Sequence, residues 1–198
     1  MNRWKPSLLA CFAAVSGLVL ASCGSARGPY NAQASDHRDI RKAEELYQEA
    51  IAKLPDNPEK AKVLLNEALG YDLYHGAAHN NLGVILLGEN KLYDAAEEFE
   101  WARKLMPGYP EPRVNLAITL ERGGRHGEAI EAAKAALEIR PGHLGAMETL
   151  AYLQVREGLE DKTTKGYLDT IIYRTDDVVW KEWATQQRLK INNKTLEP

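Results

Sequence analysis

Residues 76–109, GAAHNNLGVILLGENKLYDAAEEFEWARKLMPGY, decide the fold of this chain. Apolar and small residues recur at helical spacing in two runs, one on each side of Asn90. Asparagine tolerates the left-handed backbone that ends a helix and begins a turn. Pro107 stops the second run because proline cannot continue a helix. The stretch therefore predicts two helices joined by a short turn.

The same features recur further along the chain at a constant offset of 34 residues. Pro107 is followed by Pro141, and Ala95 is followed by Ala129. The same offset links Asn81 with Asn115, Leu82 with Leu116, Ala102 with Ala136, and Asn90 with Gly124 and then Gly158. Small residues at the helix crossings let two backbones approach closely. The chain is thus predicted to be an array of similar helical hairpins.

A 34-residue period with small residues at these offsets resembles the tetratricopeptide-repeat (TPR) family. The resemblance implies an all-α, right-handed solenoid of three to four hairpins, since one hairpin cannot bury its apolar face alone. Phe99 and Tyr167 would fill the gap between repeats, and Ala133 departs from the aromatic residue that the family prefers there. The repeats cover about 42–75, 76–109, 110–143 and 144–177.

A final helix is predicted at 178–190, where Trp180 and Trp183 stand among charged residues. An end repeat lacks a neighbour, so we expect this helix to cap the solenoid. The alternative is that one of the tryptophans contacts a partner. The solenoid domain would then span 36–190, with a tail at 191–198.

An export signal precedes the repeats. Arg3 and Lys5 are followed by Leu8–Leu20, a short run of mostly apolar residues. A membrane span needs about 20 residues, so this shorter run suits the apolar part of a signal peptide. Leu20-Ala21-Ser22-Cys23 follows it.

These four residues resemble the bacterial lipobox. The resemblance implies removal of signal peptide 1–22, lipidation of Cys23 and firm anchoring through several acyl chains. Gly24 after the cysteine implies the outer membrane, with the protein facing the periplasm of the cell envelope. Residues 23–35 are polar and rich in small residues, which predicts a flexible tether. The alternatives are an ordinary signal peptide or an uncleaved anchor.

Charge and cysteine content exclude several classes of function. Without Arg3 and Lys5, 23 basic and 28 acidic residues remain, a net of −5, whereas nucleic-acid binding favours a basic surface. Cys11 lies in the export segment, so the domain has no thiol for catalysis or metal binding. No phosphate-binding loop or nucleophile elbow is present in the sequence. We therefore expect no enzyme activity and no cofactor.

By the family resemblance, a partner would bind the concave surface, which first-helix residues line. Neighbouring repeats would bring Asn81 near Asn115 and Thr149, and asparagine amides can hold a peptide backbone. Alternatively, these asparagines only order the helices. The basic clamp with which some members grip a carboxylate is absent. The predicted groove comprises Asn80, Asn81, Val84, Leu87, Glu111, Val114, Asn115, Ile118, Arg122, Glu148, Thr149, Tyr152 and Arg156.

Three functions follow from these observations. The favoured one is a membrane-anchored adaptor that binds a segment of another envelope protein, in pilus or secretion assembly or in recruiting cell-wall enzymes. The alternative is a structural lipoprotein that self-associates as a homo-oligomer. The third is a metal-dependent enzyme that uses His75 and His79, which are spaced i, i+4 but straddle a predicted helix start. The surface for self-association would comprise Tyr167, Ile171, Ile172 and Trp180.

Overall fold

The computed structural model describes residues 38–194, which form nine α-helices and no strand. The predicted signal peptide, Cys23 and the tether lie outside the described residues, as does the end of the tail, 195–198. None of the nine helices has the length and apolar character needed to cross a membrane. The helices are α1 (Ile40–Lys53), α2 (Pro58–Tyr71), α3 (Gly76–Gly88), α4 (Leu92–Leu105), α5 (Glu111–Arg122), α6 (His126–Ile139), α7 (Leu144–Arg156), α8 (Lys162–Arg174) and α9 (Val178–Lys194).

The first eight helices pair into four hairpins that stack in chain order. Each odd-numbered helix packs against the even-numbered helix that follows it, and α2, α4, α6 and α8 each contact the first helix of the next unit. This confirms the predicted all-α solenoid. The start of α9 lies one full repeat period after the start of α7, so the cap occupies the place of a fifth first helix.

Three of the hairpin turns use the left-handed backbone that the sequence predicts. Asn90, Gly124 and Gly158 have φ angles of 62°, 75° and 68°. Glycine adopts this conformation without steric cost, and asparagine adopts it more readily than most residues. The first turn differs, because Asn57 caps α2 through its side chain and a proline follows it.

The close approach of helices within the second hairpin depends on Gly83. A Cβ atom at Gly83 would lie 2.7 Å from Cε1 of Phe99, whose side chain is fully buried. In the third hairpin Ala117 and Ala133 take the two equivalent places, and both are fully buried. The same close helix crossing is thus formed by a glycine and a phenylalanine in the second hairpin and by two alanines in the third.

The solenoid curves with its first helices on the inside. The backbones of α3 and α5 approach each other, as do those of α5 and α7, whereas α4 and α6 do not approach to the same extent. Closer spacing on one side of a stack bends it toward that side. The concave surface is therefore lined by the odd-numbered helices, as the resemblance implies.

The C-terminal helix differs from its predicted extent. It continues past residue 190 to Lys194, because Ile191 is buried in a second core cluster together with Ala184. That cluster also contains the residues of the self-association hypothesis. Ile171 is fully buried, and Tyr167, Ile172 and Trp180 pack around it. Ile171 therefore cannot belong to a self-association surface, whereas Tyr167, Ile172 and Trp180 are only partly buried, and self-association stays a prediction.

Candidate functional site

A row of polar side chains crosses the concave surface from α1 to α5. The Nδ2 atom of Asn81 donates to the Tyr47 hydroxyl at 3.1 Å, and Asn80 Nδ2 lies 3.5 Å from Asn81 Oδ1. Asn115 Nδ2 donates to Asn80 Oδ1 at 3.0 Å. All four side chains are half-buried. The row therefore joins three consecutive repeats, and Asn115 meets Asn80 rather than the predicted Asn81.

The row does not extend to Thr149. This residue is only 8% exposed, and its hydroxyl donates to the Gly145 carbonyl one turn earlier at 2.8 Å. A short β-hydroxyl on a helix often bonds to its own backbone in this way. Thr149 thus lies beneath the surface instead of beside the asparagines.

The apolar positions of the predicted groove fall at different depths. Val84 is 39% exposed on the concave side, Ile118 is partly buried against the core, and Val114 is buried. Leu87 is also packed against the core. Val84 is thus the apolar side chain that lies beside the amide row and is open to a partner.

Two arginines at the ends of the first helices link consecutive repeats. Arg122 donates to the Leu87 carbonyl at 3.0 Å and to Asn90 Oδ1 at 2.9 Å. Arg156 forms an ion pair with Glu121 of the preceding repeat. Each guanidinium group therefore reaches back across a repeat boundary at the edge of the groove, which orients the neighbouring units.

The opposite edge of the groove contains Glu111. Its Oε1 atom lies 3.2 Å from Arg140 Nη1 and 3.5 Å from His143 Nε2. These partners belong to the turn between α6 and α7, so Glu111 links the start of α5 to that turn. Its charge is balanced within the protein.

Aromatic side chains meet at the C-terminal end of the groove. The Tyr152 ring centroid lies 6.4 Å from that of Trp180 and 5.9 Å from that of Trp183, and the two tryptophans are 5.3 Å apart. Glu148 lies one helical turn before Tyr152 on α7. Burial raises the pKa of the Glu148 carboxyl above its ordinary value, and a hydrogen bond from Thr175 partly opposes that shift.

A family model described as tetratricopeptide repeat matches residues 90–143. That match covers the second helix of the second hairpin and the whole of the third hairpin. The fold is a tetratricopeptide-repeat solenoid. A sequence search of the curated proteins finds no match.

Solved structures share the TPR architecture at low identity. PilF from Pseudomonas aeruginosa has a TM-score of 0.70 at 18% identity, over 78% of this chain and 71% of that one. MamA from Desulfovibrio magneticus RS-1 has a TM-score of 0.56 at 22% identity, over 64% and 72%. The first TPR of Spaghetti (RPAP3), solved with the HSP90 peptide SRMEEVD, has a TM-score of 0.59 at 17% identity, over 62% of this chain and 98% of that one. The TM-scores show that these proteins share the fold of this chain.

The two histidines of the metal hypothesis belong to the TPR framework. His75 accepts a bond from the Ala78 amide at 3.1 Å, and its Nε2 lies 3.0 Å from Glu44 Oε2. His79 is fully buried, with Nδ1 2.6 Å from Glu98 Oε2 and Nε2 2.9 Å from the Leu73 carbonyl oxygen. All four ring nitrogens thus have protein partners. Between residues 38 and 194, no three His, Cys, Asp or Glu side chains are grouped to hold a metal ion.

Two groove residues of the TPR surface are missing from the predicted set, although the repeat period could have found them. Tyr47 stands one period before Asn81, and Trp183 stands one period after Thr149. The first repeat matches the pattern poorly, which hides the place of Tyr47. Trp183 belongs to the predicted cap, and the structure shows that this cap also continues the series of first helices.

Proposed function

We propose that the protein is a scaffold whose concave groove binds an extended or helical segment of another protein. The observation that carries this proposal is the amide row of Asn81, Asn80 and Asn115 on the concave surface. Asn115 Oδ1 accepts no hydrogen bond from the described residues, so it remains available to a backbone N–H of a ligand. Val84 offers an apolar contact on the same surface. A peptide backbone has N–H donors and C=O acceptors, and an amide side chain can bond to both.

Further support comes from the solved TPR of Spaghetti, which was determined with an HSP90 peptide. That structure is a precedent for peptide binding on this fold. The basic clamp expected for a C-terminal carboxylate is missing here, since Asn80, Val114 and Ile118 occupy its places. We therefore propose an internal segment of the partner as the ligand.

Replacing Asn81 and Asn115 together with alanine is expected to weaken partner binding about thirtyfold, because two contact residues that each contribute on the order of 1 kcal/mol are lost. Helicity should stay unchanged, since their half-buried partners Tyr47 and Asn80 can bond to water instead. Asn66→Ala is the matched control, because Asn66 lies exposed on the second helix α2. Binding is measured with the partner segment identified by crosslinking.

The crosslinking step compares two exposed valines. A photoreactive residue at Val84 lies in the groove, whereas one at Val63, which is 50% exposed, lies on the second helix α2. The proposal expects partner crosslinks from Val84 and few from Val63. Equal crosslinking from both sites, or full binding by the double alanine variant, would contradict a groove function.

We further propose that the scaffold is held on the periplasmic side of the outer membrane by lipid on Cys23. The support is the apolar run 8–20 and the lipobox resemblance at 20–23. In this setting the partner is an envelope protein, and assembly of pili or secretion systems or recruitment of cell-wall enzymes is the task we propose.

Cys23→Ser is expected to move the protein from the membrane fraction to the soluble periplasmic fraction, because the serine hydroxyl cannot carry the thioether-linked lipid. Fractionation followed by immunoblotting measures this. Ser22→Ala serves as the control, since it keeps a small residue before the cysteine. A Cys23→Ser protein that still pellets with membranes would rule out the lipid anchor.

A further inference from the structure

The C-terminal end of the groove has a chemistry that the rest of the groove lacks. We define the aromatic corner as Tyr152 of α7 together with Trp180 and Trp183 of α9. The two tryptophan rings are nearly perpendicular, with an interplanar angle of 87°, and Tyr152 stands at 85° to Trp180. Each edge-to-face contact places the edge of one ring on one face of the other, so these contacts leave the remaining ring faces uncovered. Tyr152 is 36% exposed and both tryptophans are half-buried.

The polar atoms of the corner are not used within the solenoid. Neither indole N–H of Trp180 and Trp183 nor the Tyr152 hydroxyl forms a side-chain hydrogen bond with the described residues. Buried tryptophan and tyrosine usually find such a partner. Here these atoms lie at the surface, where a ligand can reach them.

Glu148 gives the corner a negative charge that no cation among residues 38–194 balances. The other carboxylates of the groove are paired, Glu111 with Arg140 and Glu121 with Arg156. The charged residue that acts on Glu148 is Asp177, which is also negative. The hydrogen bond to the Glu148 carboxylate comes from Thr175, which is neutral. The turn before α9 thus adds negative charge to the corner.

The protein loses folding free energy by keeping Glu148 ionised. Burial raises its pKa, so the ionised carboxylate is less favourable in the folded state than in the unfolded chain. A neutral isostere at this position should leave stability at neutral pH unchanged or slightly increased, and that gain should vanish in acid, where Glu148 is itself protonated. An unpaired carboxylate that folding does not need is typical of a functional residue.

We infer that the aromatic corner binds a lysine or arginine side chain of the partner segment. A cation over an aromatic ring is attracted by the ring's electron-rich face, most strongly by tryptophan. The apolar stem of the same side chain covers the rings, and its charged end pairs with Glu148. This inference rests on the proposed function and adds that the bound segment is basic where it meets α7 and α9.

The test uses the full chain in detergent and a positional-scanning library of short capped peptides. The wild-type protein is expected to select Arg or Lys at one position of the bound peptide. Replacing that residue with norleucine should weaken binding about fivefold, as expected for a cation–π contact with a partly exposed ring. Fluorescence anisotropy of the two labelled peptides measures the ratio of their affinities, which is called the Arg-to-norleucine ratio below.

Two variants assign this preference to the corner. Glu148→Gln and Tyr152→Leu should each reduce the Arg-to-norleucine ratio, because each removes one of the groups that favour the cation. Glu138→Gln is the matched control, since it removes the same charge from an exposed site on α6. Circular dichroism melting checks that each variant is folded.

The outcomes separate this inference from the proposed function. Peptides that bind the groove with no basic preference, or with one that survives Glu148→Gln and Tyr152→Leu, overturn the inference and leave the groove function standing. The absence of any bound peptide overturns both. A glycan such as chitotetraose that binds at the aromatic corner while basic peptides do not would make it a sugar-binding surface, which also overturns the inference.

Discussion

Glu98→Leu is expected to lower the free energy of unfolding by about 3–5 kcal/mol, the usual cost of removing one partner from a buried ion pair. Glu98 is 3% exposed and His79 is fully buried. Their side chains approach to 2.6 Å, and the imidazole also stacks on Trp101 at a centroid distance of 5.5 Å. Leucine removes the polar partner of Nδ1 in a place that water does not reach.

The double variant His79→Phe with Glu98→Leu should recover most of this loss. Replacing both members of a buried pair by apolar groups is often neutral. The fourth repeat supports the expectation, because Met147 and Gly166 occupy the equivalent positions there. A phenyl ring at position 79 can keep the stacking on Trp101.

Equilibrium denaturation of the full chain measures these changes, with circular dichroism as the signal. Glu138→Leu is the control, because this carboxylate is exposed on α6 and should change stability by no more than about 0.5 kcal/mol. If Glu98→Leu were no more destabilised than this control, or if the double variant were as unstable as the sum of both singles, the pair would not have the role assigned to it.

Phe99→Ala is expected to cost about 3–5 kcal/mol, because it empties the largest fully buried side-chain site of the solenoid. Gly83→Ala alone should cost about 1–3 kcal/mol through overpacking, since its Cβ would lie 2.7 Å from the ring. Combined, the two changes should be more stable than Phe99→Ala, because the new methyl group then occupies part of the vacated space.

The third repeat already contains this combination as Ala117 and Ala133, both buried. A double-mutant cycle should therefore show coupling of about 1 kcal/mol or more, as contacting residues do. Gly88→Ala is the control on the same helix, where a new Cβ would meet nothing within 4 Å. It should be neutral or stabilising because alanine favours helix. Equal effects of Gly83→Ala and Gly88→Ala would disprove the steric argument.

Local properties of the chain are enough to predict the hairpins and their stacking. A left-handed residue at Asn90, Gly124 and Gly158 ends each first helix, and small residues at the repeat offset allow the helices to cross. Backbone preference and side-chain size belong to a residue wherever it stands, so both can be read without the fold. The resemblance to the TPR family then implies that the first helices line the concave surface.

The contacts between atoms on that surface follow from the packing of the helices and could not be predicted from the sequence. Asn115 bonds to Asn80 rather than Asn81, Thr149 turns to its own helix, and Glu148 is left without a cation among the described residues while Glu111 has one. A repeat period shows on which face of a helix a residue lies, but several residues share that face, so the period does not give the contacts of each one. The spacing and rotation between helices then select the partner, and both depend on how side chains such as Phe99 pack in the core.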